Sequence, residues 1–154
     1  MNYIKNFESM SNDEKKSTIL ISAFPGVGKS YLFKNLKDYK ILDSDSSTFD
    51  KDLFPGNYID HIKQNIGVVD IIMISTHDVV RQQLEENGLF FVLVYPDISL
   101  KDEYIGRYNE RGNDDNFIKI LGENWENWIT DIEKQKGCFK IKLQSGEFLG
   151  DFIK

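Results

Sequence analysis

One stretch of eight residues constrains the fold more than any other part of the chain. Residues 23–30 read Ala-Phe-Pro-Gly-Val-Gly-Lys-Ser. They follow the short apolar run Thr18 to Ser22, which is typical of a parallel strand buried on both faces. Helical spacing of apolar residues begins directly afterwards, near Tyr31. The pattern therefore predicts a strand, a glycine-rich loop and a helix in succession.

The loop matches the consensus G-x-x-x-x-G-K-[S/T] at its last three positions, with Ala23 in place of the first glycine. Glycines let backbone N–H groups curl around phosphate oxygens, and the helix N-terminus attracts the same anion. A lysine adds mobile positive charge, and a serine hydroxyl is a ligand for Mg²⁺. We therefore expect the phosphates of ATP or a similar nucleotide here, in contact with Phe24, Pro25, Gly26, Val27, Gly28, Lys29, Ser30 and Tyr31.

Composition limits the class of protein. The chain has 154 residues, which fits one domain with one core, and its formal net charge is −6. Binding to nucleic acid draws on clustered Lys and Arg, so the acidic balance argues against that partner. No apolar run approaches the ~20 residues that cross a bilayer, so we expect no membrane contact. Without an apolar signal core in residues 1–16, and with Cys138 the only cysteine, a cytoplasmic setting is expected.

Short apolar runs alternate with helical segments along the chain. Strands are predicted at 18–22, 40–42, 68–75, 89–95 and 138–143, and helices after the loop and at 57–65, 76–87, 99–111 and 117–136. This alternation over short loops predicts one α/β domain over residues 1–154, with a parallel sheet and helices on both faces. Residues 1–16 are expected to form a polar arm, and Gly122 a break in the last helix.

Two acidic residues, Asp43 and Asp45, follow the second predicted strand. In an open α/β sheet, ligands lie at the carboxyl ends of the strands, so these residues should face the phosphate loop. Being two apart, they point to the same side of an extended chain. Paired carboxylates beside Mg²⁺-ATP can hold metal-bound water and orient an acceptor hydroxyl. The alternative is a polar turn in which an aspartate caps a helix or loop.

Only three of the 19 basic residues are arginines, and two of them, Arg107 and Arg111, share a helix face at i, i+4. They precede a Gly-Asn-Asp-Asp break at 112–115 that could act as a hinge. Two guanidinium groups on a movable segment could close over a transferring phosphoryl group. The alternative is a solvated face, with Glu103 and Arg107 as an ion pair. The third arginine, Arg81, follows strand three and could meet an anionic group on the acceptor.

These pieces together resemble the small P-loop kinases, a family that includes nucleoside monophosphate kinases, shikimate kinase and gluconate kinase. The resemblance rests on residues 23–30, on Asp43-Ser44-Asp45 and on Arg107-Tyr-Asn-Glu-Arg111, and it spans about residues 17–143. In overall style the chain also looks like bacteriophage-encoded kinases of nucleotide metabolism. The resemblance implies a three-layer P-loop fold with a five-stranded parallel sheet of order 2-3-1-4-5, and a lid at about residues 99–122.

The resemblance also implies roles for single residues. Lys29 and Ser30 would serve the phosphates and Mg²⁺, with Asp43 near the metal and Asp45 near the acceptor. Arg81 would meet the acceptor's phosphate, whereas Arg107 and Arg111 would belong to the lid. The Asp-x-Asp pattern points to a hydroxyl acceptor, while Arg81 points to a phosphate-bearing one.

The sequence therefore predicts an enzyme, a phosphotransferase that moves the terminal phosphoryl group of Mg-ATP to a nucleoside or deoxynucleoside monophosphate. One alternative is a kinase of a small hydroxyl metabolite or of a polynucleotide end. Another is an ATPase or nucleotide-binding module without an acceptor. Such a protein usually needs an acidic end to strand three, and the sequence there reads Ile74-Ser75-Thr76-His77. The expected partners are a nucleotide and a small-molecule acceptor, and the oligomeric state is left open.

Overall fold

A computed structural model describes residues 17–153, so the predicted N-terminal arm lies outside the described residues. Within them, strands alternate with helices from the first strand to the last. The strands are β1 Ile19–Ala23, β2 Ile41–Asp43, β3 Ile71–Ile74, β4 Phe91–Pro96 and β5 Cys138–Leu143, and the helices are α1 Lys29–Asn35, α2 Gly56–Asn65, α3 Asp78–Glu86, α4 Lys101–Glu110 and α5 Asp115–Glu133. Short 3₁₀ turns lie at Ser46–Thr48, Ile98–Leu100 and Leu149–Asp151.

All five strands are parallel and lie in the order β2-β3-β1-β4-β5, which confirms the predicted fold. The connection from β1 to β2 moves sideways toward one edge of the sheet, and each later connection moves toward the other edge. Right-handed crossovers therefore place α1 on one face and the later helices on the other. Contacts agree with this: α1 packs against the C-terminal 3₁₀ turn, while α2 packs against α3.

The core is built around the central strands. Every residue of β1, β3 and β4 is buried, as expected for parallel strands covered on both faces. The edge strands β2 and β5 are only partly covered, and β5 carries Lys140 and Lys142, charges that discourage pairing with another chain. Trp125 of α5 and Tyr104 and Tyr108 of α4 are among the largest fully buried side chains.

The predicted break at Gly122 is wrong, because α5 runs uninterrupted from Asp115 to Glu133. A glycine inside a helix costs only about 1 kcal/mol relative to alanine. The buried side chains of Leu121, Trp125 and Ile129 anchor the helix on both sides of it. No helix within residues 17–153 combines the length and the apolar character needed to cross a bilayer.

Candidate nucleotide-binding site

The loop between β1 and α1 takes its shape from two glycines. Gly26 and Gly28 have φ angles of 92° and 101°. Among the described residues, only glycines have positive φ. Ala23, in contrast, is the last residue of β1 and pairs with Val94 of β4 in an extended conformation. The first glycine of the consensus is therefore not required by the backbone at this position. The departure from the consensus leaves the loop geometry intact.

Three consecutive carbonyl groups of the loop are held from outside. The Tyr108 hydroxyl donates to the Pro25 carbonyl oxygen at 2.7 Å, and Arg107 Nη1 donates to the Gly26 carbonyl oxygen at 2.8 Å. The backbone N–H of Leu149 donates to the carbonyl oxygen of Val27 at 2.8 Å. Donors from α4 and from the C-terminal turn thus fix the orientation of successive peptide groups. We call this set of three bonds the carbonyl brace.

The backbone amides that follow the brace are available to a ligand. In the part of the chain that the structure describes, the N–H groups of Gly28, Lys29 and Ser30 donate to no protein acceptor. These amides belong to the first turn of α1, where helices leave N–H groups unsatisfied and carry partial positive charge. A cluster of such donors around a concave loop is a binding site for anions such as phosphate.

The loop forms the floor of a cleft of about 720 Å³, a size that fits a nucleotide-sized ligand. The Lys29 ammonium and the Ser30 hydroxyl line it, and neither has a hydrogen-bond or ion-pair partner within residues 17–153. The strand ends contribute one side of the cleft and α4 with the C-terminal turn the other. The lining residues are Pro25, Gly26, Gly28, Lys29, Ser30, Asp43, Ser44, Asp45, Ser46, Ser75, Arg107, Glu110, Arg111, Phe117 and Phe148.

The two predicted aspartates both line this cleft, but their environments differ. Asp43 ends β2, is exposed and has no protein partner among the described residues. Asp45 caps the 3₁₀ turn: its Oδ1 accepts from the Ser47 amide at 2.9 Å and from the Ser47 hydroxyl at 2.8 Å. The bond from the Ser47 amide, followed by the hydroxyl bond, lowers the pKa of Asp45 below its ordinary value. Asp45 therefore stays ionised, and one carboxylate oxygen remains for a ligand.

A buried tyrosine joins the ends of β2 and β3 beneath the aspartates. The Tyr58 hydroxyl donates to the Ser44 carbonyl oxygen at 2.7 Å and accepts from the Ser75 amide at 3.2 Å. Burial raises the pKa of Tyr58 to about 12, so the hydroxyl keeps its proton and both bonds. The Ser44 hydroxyl lies 3.1 Å from His61 Nε2. Tyr58 thus connects the strand ends that carry Ser44 and Ser75 on the aspartate side of the cleft.

The two predicted lid arginines both line the cleft but have different surroundings. Arg107 is only 15% exposed, and besides its bond to the loop it pairs with Glu103 at 3.0 Å. Its guanidinium lies 4.2 Å from the ring centroids of both Tyr104 and Phe148. In this structure Arg107 thus connects α4 to the loop, and its role in a lid stays a prediction. Arg111, at the C-terminal end of α4, is exposed, lines the cleft and has no protein partner in residues 17–153.

Arg81 lies outside the cleft, which corrects the expectation that it meets an acceptor phosphate. Its side chain is 4% exposed, and Nη2 forms an ion pair with Asp131 of α5 at 2.7 Å. Nη1 donates to Gln135 Oε1 at 2.9 Å, and Nε donates to the Thr76 carbonyl oxygen at 2.9 Å. The guanidinium thus joins α3 to the end of α5.

Several residues of the cleft were not predicted from the sequence. Phe148 packs over Gly28, where an added Cβ would meet the phenylalanine ring at 3.3 Å. Phe117, at the start of α5, and Glu110, at the end of α4, also line the cleft. No local motif marks either phenylalanine, since Phe148 reaches the loop, and Phe117 the cleft, only through tertiary packing. The hydrogen bond from Tyr108 to the loop likewise has no signature in the sequence.

The residues expected to hold Mg²⁺ fit that ion. Mg²⁺ prefers one or two protein oxygens together with substrate phosphates and water, and does not need a cage of protein ligands. The free Ser30 hydroxyl and the free Asp43 carboxylate line the same cleft and provide such a pair. No cluster of three or more His, Cys, Asp or Glu suited to a metal occurs within residues 17–153.

Comparison with known proteins identifies no relative: the chain matches no family model and no curated protein sequence. The assignment of the site therefore depends on the geometry of residues 23–30 and of the cleft above them.

Proposed function

We propose that the protein is an ATP-dependent phosphotransferase that transfers the terminal phosphoryl group of Mg-ATP to a small-molecule acceptor. One observation carries the proposal: the carbonyl brace satisfies three loop carbonyl groups, while the amides of Gly28, Lys29 and Ser30 donate to no acceptor among the described residues and lie beside an unpaired lysine. This is the donor arrangement that phosphate groups require.

Two partly exposed aromatic side chains support a nucleotide rather than a free phosphate. Phe117 and Phe148 line the cleft and are 36% and 41% exposed, and the Phe148 ring already has the Arg107 guanidinium over one face. Aromatic rings that face a phosphate site can stack on a base, and such stacking contributes about 1–3 kcal/mol per base in single-stranded nucleic acid complexes. Both lie with α4 and the C-terminal turn, on the side of the loop away from the aspartates.

The chain's own residues divide the work of phosphoryl transfer. Lys29 and the free amides hold the phosphates and neutralise their charge, which is most of what an enzyme contributes to this reaction. Asp45, kept ionised by Ser47, accepts a hydrogen bond from the acceptor hydroxyl and orients its oxygen. Arg111 is placed to neutralise charge on the transferring group. Magnesium bound at Ser30 and Asp43 would add further positive charge at the phosphates.

An acceptor-free ATPase is less well supported. Orienting a hydrolytic water usually takes an acidic or amide side chain near the end of strand three. Ser75 occupies that position, and its amide and carbonyl are engaged by Tyr58 and Ser22. The cleft instead extends to the aspartates beyond β2, which leaves space for a second substrate.

Replacing Lys29 by alanine tests the proposal. We expect Lys29→Ala to lower ATP turnover by at least ~100-fold, because both phosphate positioning and charge neutralisation are lost. Turnover would be followed as ADP formation with a mixture of nucleotide and hydroxyl acceptors. Lys34→Ala, an exposed lysine on the same helix, is the matched control and should retain full activity. Near-normal turnover in Lys29→Ala, or amide signals of residues 23–30 that ignore added Mg-ATP in the wild type, would contradict the proposal.

A further inference from the structure

The acceptor side of the cleft is negatively charged and rich in hydroxyl groups. Its lining comes from the ends of β2 and β3: Asp43, Ser44, Asp45, Ser46 and Ser75. Both carboxylates are exposed to the cleft, and the lowered pKa of Asp45 keeps its charge at any neutral or mildly acidic pH. Apart from the loop lysine, no lysine or arginine from the described residues lines this side. The imidazole of His77 lies next to it, with Nδ1 3.0 Å from the Ser75 hydroxyl and 3.5 Å from the Ser46 hydroxyl.

The other cations of the cleft lie on the opposite side of the loop. Arg107 and Arg111 come from α4, which follows β4, whereas the aspartates follow β2, at the far edge of the sheet. The Arg107 guanidinium is already engaged by the Gly26 carbonyl and by Glu103. Lys29 lies on the loop, where the phosphates of the donor nucleotide require its charge.

The one arginine on α3, the helix that leaves the acceptor side, is not available to that side. Arg81 is buried and committed to Asp131, Gln135 and the Thr76 carbonyl, so its charge is neutralised within the protein. A dianionic phosphate on the acceptor would face two carboxylates with no guanidinium to pair with it. Juxtaposed like charges are a common means by which sites exclude a ligand.

Resting on the proposed phosphotransferase function, we infer that the acceptor is a neutral or positively charged hydroxyl compound that carries neither phosphate nor carboxylate. In the transfer, the acceptor hydroxyl oxygen bonds to the terminal phosphorus as the bond from that phosphorus to the bridging oxygen of ATP breaks. The hydroxyl proton passes to the free oxygen of Asp45 and then to solvent. The products are ADP and a phosphate monoester. Even with Asp43 at the magnesium ion, Asp45 remains to repel an anionic acceptor.

Pairs of acceptors that differ only in a charged group test this inference. The wild-type protein with Mg-ATP would be given each common nucleoside and its 5′-monophosphate, and neutral sugars with the matching sugar acids, with products followed by ³¹P NMR. We expect transfer only to uncharged members, with a preference of at least ~100-fold over the anionic partner. Transfer to a 5′-monophosphate or to a sugar acid in preference to its neutral partner would overturn the inference while leaving the phosphotransferase function standing.

A binding measurement decides the case in which no member of the panel is phosphorylated. With the protein loaded with Mg-ADP, we expect 5′-monophosphates at millimolar concentration to leave the amide signals of residues 43–47 unchanged, and shifts there would overturn the inference. If Mg-ATP fails to shift residues 23–30, or ADP forms equally fast without any acceptor, the proposed function itself fails. These outcomes are distinct because they report on different segments of the chain.

A charge-neutral variant separates repulsion from shape. Asp45→Asn keeps the side-chain oxygen that accepts from Ser47 but removes both the charge and the proton acceptor, so its effect is read in the binding titration. We expect it to reduce the discrimination against anionic acceptors in that titration by about tenfold or more. Asp60→Asn, an exposed change on α2 outside the cleft, is the matched control and should leave the discrimination unchanged. Discrimination that survives in Asp45→Asn would show that charge is not its cause.

Discussion

Gly26 and Gly28 both have positive φ, but their surroundings restrict them in different ways. A Cβ on Gly26 would lie 3.0 Å from Tyr108 Cε1 and 3.1 Å from Tyr104 Cδ2, side chains that are fully buried in α4. A Cβ on Gly28 would meet the more exposed Phe148 at 3.3 Å. Glycine at position 26 therefore serves both the turn and the packing of α4 on the loop, whereas Phe148 could shift away from position 28.

We predict that Gly26→Ala destabilises the protein by about 2–4 kcal/mol, the sum of left-handed strain and overpacking against the two tyrosines. Urea unfolding provides the measurement. Gly67→Ala is the matched control, because Gly67 has a φ of 87° and open space around its Cβ position. It should lose only the strain component, about 1–2 kcal/mol. Equal losses of unfolding free energy in the two variants would show that α4 moves to accommodate the added methyl group.

At the scale of secondary-structure elements, single polar side chains fasten the helices to one another and to the loop. Arg81 joins α3 to α5 through Asp131, and Arg107 joins α4 to the Gly26 carbonyl. Both arginines were expected at the substrate. Arg81 lies outside the cleft, whereas Arg107 lines the cleft and also holds the loop. Their shared feature is that each satisfies a backbone carbonyl as well as an acidic side chain.

Arg81→Met should lower the free energy of unfolding by about 1.5–3 kcal/mol, because charge-assisted hydrogen bonds to Asp131, Gln135 and a carbonyl are lost. Methionine keeps much of the apolar stem, so packing is largely preserved. Lys119→Met removes the exposed pair with Glu123 on α5 and should change stability by no more than about 0.5 kcal/mol. ATP turnover per folded molecule should be retained in Arg81→Met. A large loss of turnover without a loss of stability would show that Arg81 acts at the site.

The sequence was sufficient to predict the strands and the phosphate loop, since both are encoded by local patterns. Continuous apolar runs produced the buried strands, and glycine spacing produced the turn. The sequence does not show which groups a charged side chain will pair with. It indicates that Arg81 is a cation on a helix, but only the packing of α3 on α5 reveals Asp131 as its partner. Gly122 was misjudged for a similar reason, because the tertiary packing of Trp125 and its neighbours outweighs a weak local preference. Phe148 approaches the loop from over 100 residues away and leaves no local trace.

At the scale of the whole molecule, the strand order decides which charges share the cleft. The central strand β1 supplies the loop, the aspartates stand after β2, and the arginines follow β4. The cleft therefore has a cationic, aromatic side and an anionic, hydroxyl-rich side, with the loop between them. Under the proposed function, a nucleotide would approach the loop from the first side and the acceptor from the second.

We predict that Mg-ATP at about 100 times its dissociation constant raises the thermal midpoint by roughly 5–10 °C. Binding to the native state alone contributes about 2.7 kcal/mol at that concentration, and each kcal/mol is worth about 2–4 °C for a chain of this size. Differential scanning calorimetry measures the shift. Adenosine at the same concentration is the control and should produce a much smaller shift, because it lacks the phosphates that the loop is proposed to bind. Equal shifts from the two ligands would show that the base, and not the phosphates, contributes most of the binding free energy.

The carbonyl brace has a consequence for how the chain is made. The loop is synthesised early, yet the donors at Arg107, Tyr108 and Leu149 emerge from the ribosome about 80 to 120 residues later. A partly made chain therefore carries the recognition motif without the contacts that orient it. The loop carbonyl groups can therefore take their full set of bonds only after the chain has been made through Leu149 and has folded back on the loop.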